Sequence, residues 1–117
     1  MTAKIVADEI LRQIRINVGN SVVWSWGLKN PQYGTEENGN HFLIFSVSGF
    51  LHKGKLKVRL EGNDTYTIFL LKRNGEEKSS HTMIYCDEIG ERIDQLVECN
   101  TSKEEYTKLV NKTIYTL

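Results

Sequence analysis

The chain has 117 residues, 39% hydrophobic and 26% charged, and its 15 basic and 15 acidic residues cancel to a formal net charge of zero. This length suits one domain with a single core, so we interpret residues 1–117 as one α+β domain. The charge balance gives no whole-molecule attraction to nucleic acid or membrane, although a local patch is compatible with it. No run approaches the roughly 18 consecutive apolar residues of a spanning helix, so no membrane partner is expected.

The first segment is predicted to be an amphipathic helix over residues 3–17, with Thr2 as its N-cap. Its apolar residues recur every four positions: Val6, Ile10 and Ile14. Gly19-Asn20 is expected to end this helix. The apolar run Ser21–Gly27 is then predicted to be a short strand, with both tryptophans of the chain on one face.

A long connection, Leu28–Asn40, is predicted to be a surface loop because it holds the only proline and an acidic, glycine-bearing tip. Glu36 and Glu37 form this tip and are expected to be solvated.

Two strands follow, His41–Ser48 and Lys55–Glu61, and the second alternates strictly between apolar and charged residues. The loop at residues 62–64 leaves its register open, because a slip of one residue turns every side chain to the other face. We favour a three-residue loop, which places Val58 opposite Ile68. A two-residue loop would place Val58 opposite Phe69.

The next strand, Thr65–Arg73, is apolar on both faces and is expected to be central. Asn74-Gly75 predicts a two-residue hairpin loop that leads into a returning strand at Ser79–Tyr85. That loop fixes four predicted cross-strand pairs: Arg73 with Glu76, Lys72 with Glu77, Ile68 with His81, and Tyr66 with Met83.

A second helix is predicted to begin at Asp87-Glu88, with an apolar stripe and an unfavourable glycine, Gly90, in its first turn. Two overlapping capping-box patterns at residues 101–105 predict a third helix, and Thr113–Leu117 has β character. The predicted fold is therefore α+β, with an N-terminal helix, a five-stranded mainly antiparallel meander, and C-terminal helices packed on the sheet.

Several segments together resemble a family of small uncharacterised proteins of phages and other mobile elements. The similarity lies in Gly19-Asn20 with the run to Trp26-Gly27, in Lys29-Asn30, and in the 56–60 strand with Asp64-Thr65-Tyr66. The resemblance implies a cytoplasmic protein of a phage-like or integrated element and carries over no functional residues. A cytoplasmic location, with Cys86 and Cys99 reduced, is also what an N-terminus without an apolar run predicts.

No catalytic, metal-binding or cofactor-binding motif is recognisable, since HxH, HExxH, CxxC and phosphate-loop spacings are all missing from the sequence. Our leading hypothesis is therefore a non-enzymatic module that binds a protein partner or itself, because strands apolar on both faces can leave one face uncovered. Its candidate interaction surface consists of Trp24, Trp26, Phe69 and Leu71. The alternative for the tryptophans is burial in the core.

A second hypothesis is nucleic-acid binding through a basic sheet surface that includes the outer face of the 55–61 strand. The candidate residues are Lys53, Lys55, Lys57, Arg59, Lys72 and Arg73. The plainer interpretation is a solvated strand face whose lysines discourage edge pairing. A third hypothesis is an enzyme that uses His81, Cys86 or Asp87. We expect no cofactor and no small-molecule ligand.

Overall fold

A computed structural model describes residues 2–98 of the chain. The predicted third helix and the β-like tail both lie outside these residues. The described elements, in chain order, are α1 (Ala3–Val18), α2 (Asn20–Ser25), β1 (Lys29–Thr35), β2 (His41–Ser48), β3 (Lys53–Leu60), β4 (Tyr66–Leu71), β5 (Glu77–Ile84) and α3 (Ile89–Val97).

The five strands form one antiparallel sheet in the order β1-β2-β3-β4-β5, so each strand pairs with its neighbours in the chain. Helix α1 begins as predicted, with the Thr2 hydroxyl accepting a hydrogen bond from the Ile5 amide at 3.3 Å. The helices pack on one face of the sheet, which confirms the predicted α+β meander.

The strand predicted at Ser21–Gly27 is wrong, because this run forms α2 and the turn that follows it. In a helix, Val23 and Trp26 lie three positions apart and reach the core together, whereas Trp24 points to solvent. The fifth strand is β1, within the segment predicted to be a loop. Pro31 fits there because β1 is an edge strand, where a residue without an N–H is tolerated.

The three-residue loop between β3 and β4 is confirmed, since Leu60 pairs with Tyr66 and Val58 pairs with Ile68. The Asn63 side chain closes this loop by accepting hydrogen bonds from the amide and the hydroxyl of Thr65, at 3.3 and 2.6 Å. The chosen register therefore places the apolar residues of both strands on one face of the sheet.

The prediction of a two-residue loop between β4 and β5 is wrong. The Lys72 amide donates to the Glu76 carbonyl across a three-residue loop. Gly75 adopts φ +90° in this loop, and Lys72 contacts Glu76 at 3.7 Å instead of Glu77. Asn-Gly serves both loop lengths, since each needs a residue with positive φ. A register shift then restores the predicted pair Ile68–His81, and a second one places Ile84, not Met83, opposite Tyr66.

The core lies between the helices and one face of the sheet, which we call the inner face. Its sheet residues alternate along the strands and are buried: Leu43, Phe45, Val47, Leu56, Val58, Tyr66, Ile68 and Leu70. Trp26 is fully buried beside them, and its indole N–H donates to Asp94 of α3 at 2.9 Å. This bond ties the end of α2 to the last helix of the described chain.

Gly90 explains how α3 reaches α1. A Cβ at this position would lie 2.7 Å from the Cβ of Asn17 and 2.9 Å from the Ile14 carbonyl oxygen. The Asn17 side chain accepts a hydrogen bond from the Gly90 amide at 2.7 Å. A glycine that is unfavourable within a helix is therefore required here by the close approach of two helices.

Candidate interaction face

The opposite side of the sheet, which we call the outer face, carries no helix among residues 2–98. Cross-strand pairing arranges it in three rows, in each of which a basic residue of β3 lies between residues of β2 and β4. The rows are Phe42–Arg59–Thr67, Ile44–Lys57–Phe69 and Ser46–Lys55–Leu71. All of these side chains except the buried Thr67 are half-buried.

The central lysine of the outer face lies against aromatic rings. The Lys57 ammonium is 4.4 Å from the ring centroid of Phe42 and 5.5 Å from that of Phe69. The Arg59 guanidinium carbon is 4.9 Å from the Phe69 centroid. Cations held over aromatic faces are attracted by the ring quadrupole, and their aliphatic stems cover apolar surface.

Two carboxylates neutralise the same cations. Glu36 forms an ion pair with Lys57 and lies 3.9 Å from Arg59, while Glu61 contacts Arg59 at 2.6 Å. The side-chain amide of Asn40 donates to the Glu61 carboxylate at 3.2 Å and joins the two loops. The prediction that Glu36 is solvated is therefore wrong, because the turn after β1 brings this residue onto the outer face.

The remaining cations lie at one end of the sheet. Lys53 and Lys55 begin β3, and Lys72 and Arg73 lie in the β4–β5 hairpin next to it. Among residues 2–98, Lys53, Lys55 and Arg73 have no ion-pair partner. The opposite end of the sheet carries the acidic residues Glu36, Glu37, Glu61 and Asp64. The basic end also holds Glu76 and Glu77, with Lys72 in contact with Glu76 at 3.7 Å, but its cations outnumber these two carboxylates. The sheet thus has a basic end and an acidic end.

Sequence reasoning placed Phe69 and Leu71 correctly beside the basic residues of β3, because the strand register was right. It missed Phe42 and Ile44, although the alternation of β2 already separates them from Leu43 and Phe45. It also missed Glu36, for which no local pattern gave a signal, because its partner Lys57 is 21 positions away.

The two tryptophans, predicted to share a face, lie in opposite environments. Trp26 belongs to the core, so it is not part of a surface, whereas Trp24 is 84% exposed. Trp24 borders a cleft between the end of α1, α2 and the start of β1.

The residues of the enzyme hypothesis form no hydrogen-bonded cluster within residues 2–98. His81 lies on the inner side of β5, with its Nε2 3.3 Å from the Ser79 hydroxyl. Burial, and then the nearby charge of Arg92, lower the pKa of His81. Cys86 is exposed after β5, and its carbonyl accepts a hydrogen bond from Asn17. No hydrogen bond joins His81, Cys86 and Asp87 in the described part of the chain.

Across residues 2–98, no three His, Cys, Asp or Glu side chains converge in a way that could hold a metal ion. Within the same range, every helix is too short or too polar to cross a bilayer. Comparison with models of known families, with curated proteins and with solved structures finds no match to this chain. The resemblance to proteins of phages and mobile elements therefore stays a prediction.

Proposed function

We propose that this domain is a non-enzymatic interaction module that binds protein through its outer face, and that its partner is a second copy of the chain. The observation that carries this proposal is the one-sided packing of the sheet. The inner face is covered by helices. Among residues 2–98, the half-buried Phe42, Ile44, Phe69 and Leu71 of the outer face are shielded only by neighbouring side chains, including the stems of Lys57 and Arg59, and each keeps an exposed part. Apolar sheet surface of this kind is typically buried by association.

The two edge strands of the sheet favour association through the outer face rather than through an edge. In β1, Pro31 and a register shift between Lys29 and Gln32 interrupt the row of backbone groups. In β5, two register shifts and Met83 at φ +57° do the same. Bulges and proline on edge strands prevent another strand from pairing with the sheet.

The charges of the outer face favour a second copy. A two-fold axis that lies between two outer faces, parallel to the sheets and perpendicular to the strands, would stack the faces with their strands running in opposite directions. The basic end of one copy, with Lys53 and Lys55, would then lie over the acidic end of the other, with Glu37 next to Glu36 and Glu61. Apolar residues of the middle rows would meet at the roughly 10 Å spacing of packed sheets.

Sedimentation velocity over a wide range of protein concentration tests this proposal. We expect a monomer–dimer equilibrium that weakens with added salt, because screening reduces the attraction between the charged ends. Ile44→Lys and Leu71→Lys should shift the equilibrium to monomer. Ile5→Lys is the matched control, since Ile5 is an exposed residue of α1. A monomer at every concentration would contradict self-association.

The nucleic-acid hypothesis now depends on Lys53, Lys55 and Arg73, since Lys57 and Arg59 are occupied by Glu36 and Glu61. The lack of ion-pair partners for these three cations in the described residues is the observation that favours it. Fluorescence anisotropy of labelled single-stranded DNA, duplex DNA and RNA at low and physiological salt tests it. Binding that Lys53→Gln weakens and Lys57→Gln leaves unchanged would support it, and no binding at low salt would exclude it.

A further inference from the structure

The cleft beside Trp24 lies between the end of α1, α2 and the start of β1. It is about 490 Å³ in volume, within the roughly 300–1,000 Å³ typical of small-molecule sites. Its lining combines an aromatic ring, two cations and short apolar walls: Trp24, Arg15, Lys29, Asn20, Val23 and Leu28.

The aromatic ring of the cleft is accessible. Trp24 is 84% exposed because α2 turns Val23 toward the core and Trp24 away from it. An exposed indole face can stack on a planar ring, which contributes about 1–3 kcal/mol for a nucleic-acid base. Its partner in sequence, Trp26, is fully buried and bonded to Asp94, so the two indoles differ completely in access.

In the described part of the chain, the cations of the cleft have no carboxylate partners. Neither Arg15 nor Lys29 forms an ion pair within residues 2–98. By contrast, Arg12, one turn earlier on α1, is paired with Glu9. Arg15 also lies in the last turn of α1, where a positive charge stabilises the helix, so its position has a structural benefit as well. Lys29, at the start of an edge strand, has no such role.

We propose that the Trp24 cleft binds a small anionic ligand that carries a planar ring. The ring stacks on Trp24, and the anionic group accepts charge-assisted hydrogen bonds from Arg15 and Lys29. Asn20 supplies an amide that can both donate to and accept from polar atoms at the ring edge. A phosphate and a carboxylate present the same recognition chemistry, so the ligand is either a mononucleotide or an aromatic carboxylate.

Tryptophan fluorescence of the intact chain tests this site, because the chain contains two tryptophans and only Trp24 among them is accessible to a quencher. The probes are adenosine 5′-monophosphate, adenosine, ribose 5-phosphate and benzoate, an aromatic carboxylate without an indole fluorophore. We expect saturable quenching by the monophosphate or by benzoate, and the stronger of the two identifies the source of the anion. Adenosine should bind at least about tenfold more weakly than the monophosphate, because it lacks the charge-assisted bonds.

Variants separate recognition from nonspecific quenching. Lys29→Gln and Arg15→Gln should each weaken binding about tenfold. Arg73→Gln, which removes a cation of the β4–β5 hairpin that has no ion-pair partner among the residues the structure describes, should leave binding unchanged. Trp24→Phe should abolish the quenching while the emission of Trp26 persists. If circular dichroism shows that Arg15→Gln disturbs folding, the test of the cation contribution depends on Lys29→Gln alone.

Two results would overturn the proposal. One is equal quenching by adenosine, by the monophosphate and by the carboxylate, which would mean that Arg15 and Lys29 do not contribute to binding. The other is no saturable quenching by either anionic ring compound. Both results are independent of self-association, because the cleft is lined by α1, α2 and the start of β1 rather than by residues of the outer face.

Discussion

The apolar residues on the two faces of the sheet are shielded from solvent in different ways. The inner face is buried under helices and consists of aliphatic and aromatic residues packed without charge. The outer face covers its aromatic rings with the stems of Lys57 and Arg59 and neutralises those cations with Glu36 and Glu61. The comparison shows that a strand apolar on both faces, such as β4, need not be covered by helices on both sides.

The largest expected difference between the faces concerns two phenylalanines. Phe45 of the inner face is 1% exposed, so Phe45→Ala should lower the free energy of unfolding by about 3–5 kcal/mol. Phe69→Ala on the outer face should cost about 1–2 kcal/mol, because its ring is only half-buried. Urea unfolding followed by circular dichroism measures both. Equal losses would mean that the outer face is packed as tightly as the core, and Phe45→Leu serves if Phe45→Ala does not fold.

A smaller effect tests how closely the helical cover of the inner face is packed. Gly90→Ala should destabilise the protein by about 1–3 kcal/mol, because the new methyl group meets Asn17 and the Ile14 carbonyl. This loss would occur although alanine favours a helix by about 1 kcal/mol over glycine. Gly62→Ala is the matched control, since nothing lies within 4 Å of its built Cβ. A stabilised Gly90→Ala variant would show that α1 and α3 can separate at little cost.

The charges of the outer face should contribute less than a core side chain. A double-mutant cycle of Glu36→Gln and Lys57→Met should give a coupling energy of about 1 kcal/mol, at the upper end for ion pairs near a surface. The pair is half-buried, with 28% and 20% of the two side chains exposed. The exposed pair Lys4–Asp8 on α1 is the control and should give a smaller coupling energy. Equal couplings would mean that Lys57 is held by the rings alone.

The smallest effect concerns His81, at the margin of the inner face. Its folded-state pKa lies below the usual 6.5 because of burial and then Arg92, so the unfolded chain binds the proton more readily. The stabilising contribution is therefore complete above about pH 6.5 and falls as the pH drops toward the folded-state pKa. Thermal unfolding at about pH 8 and about pH 5 should give a smaller decrease in Tm for His81→Gln than for the natural chain. His41→Gln is the control, and an unchanged decrease in His81→Gln would place His81 in contact with solvent.

Much of the sheet could be predicted because its signals are local. The alternation of β3 and the loop at residues 62–64 were enough to place Val58 opposite Ile68 and to bring Phe69 to the outer face. The helix at Ser21 could not be recognised in this way, since Val22 to Trp26 fits both a strand and a short helix. Only the tertiary position of Trp26, bonded to Asp94 68 residues away, distinguishes them.

The candidate site was predictable only in part, for the same reason. The basic residues of β3 follow from alternation, but their neutralisation depends on Glu36, which a distant turn delivers. The site hypotheses therefore changed more than the fold did. The structure places Lys57 and Arg59 in a network of ion pairs with Glu36 and Glu61, while the nucleic-acid role of Lys53, Lys55 and Arg73 stays a prediction.

The interrupted edges of β1 and β5 also limit the size of any assembly. A sheet that joins copies through its edges can add them without end, as fibrils do. Here Pro31 interrupts one edge strand and the bulge at Met83 interrupts the other. Only the outer face can then bind a second copy, and no further copy can bind once it is occupied. An assembly built through the sheet of residues 2–98 would therefore contain two copies. A higher protein concentration would raise the fraction of dimer and would not produce a polymer.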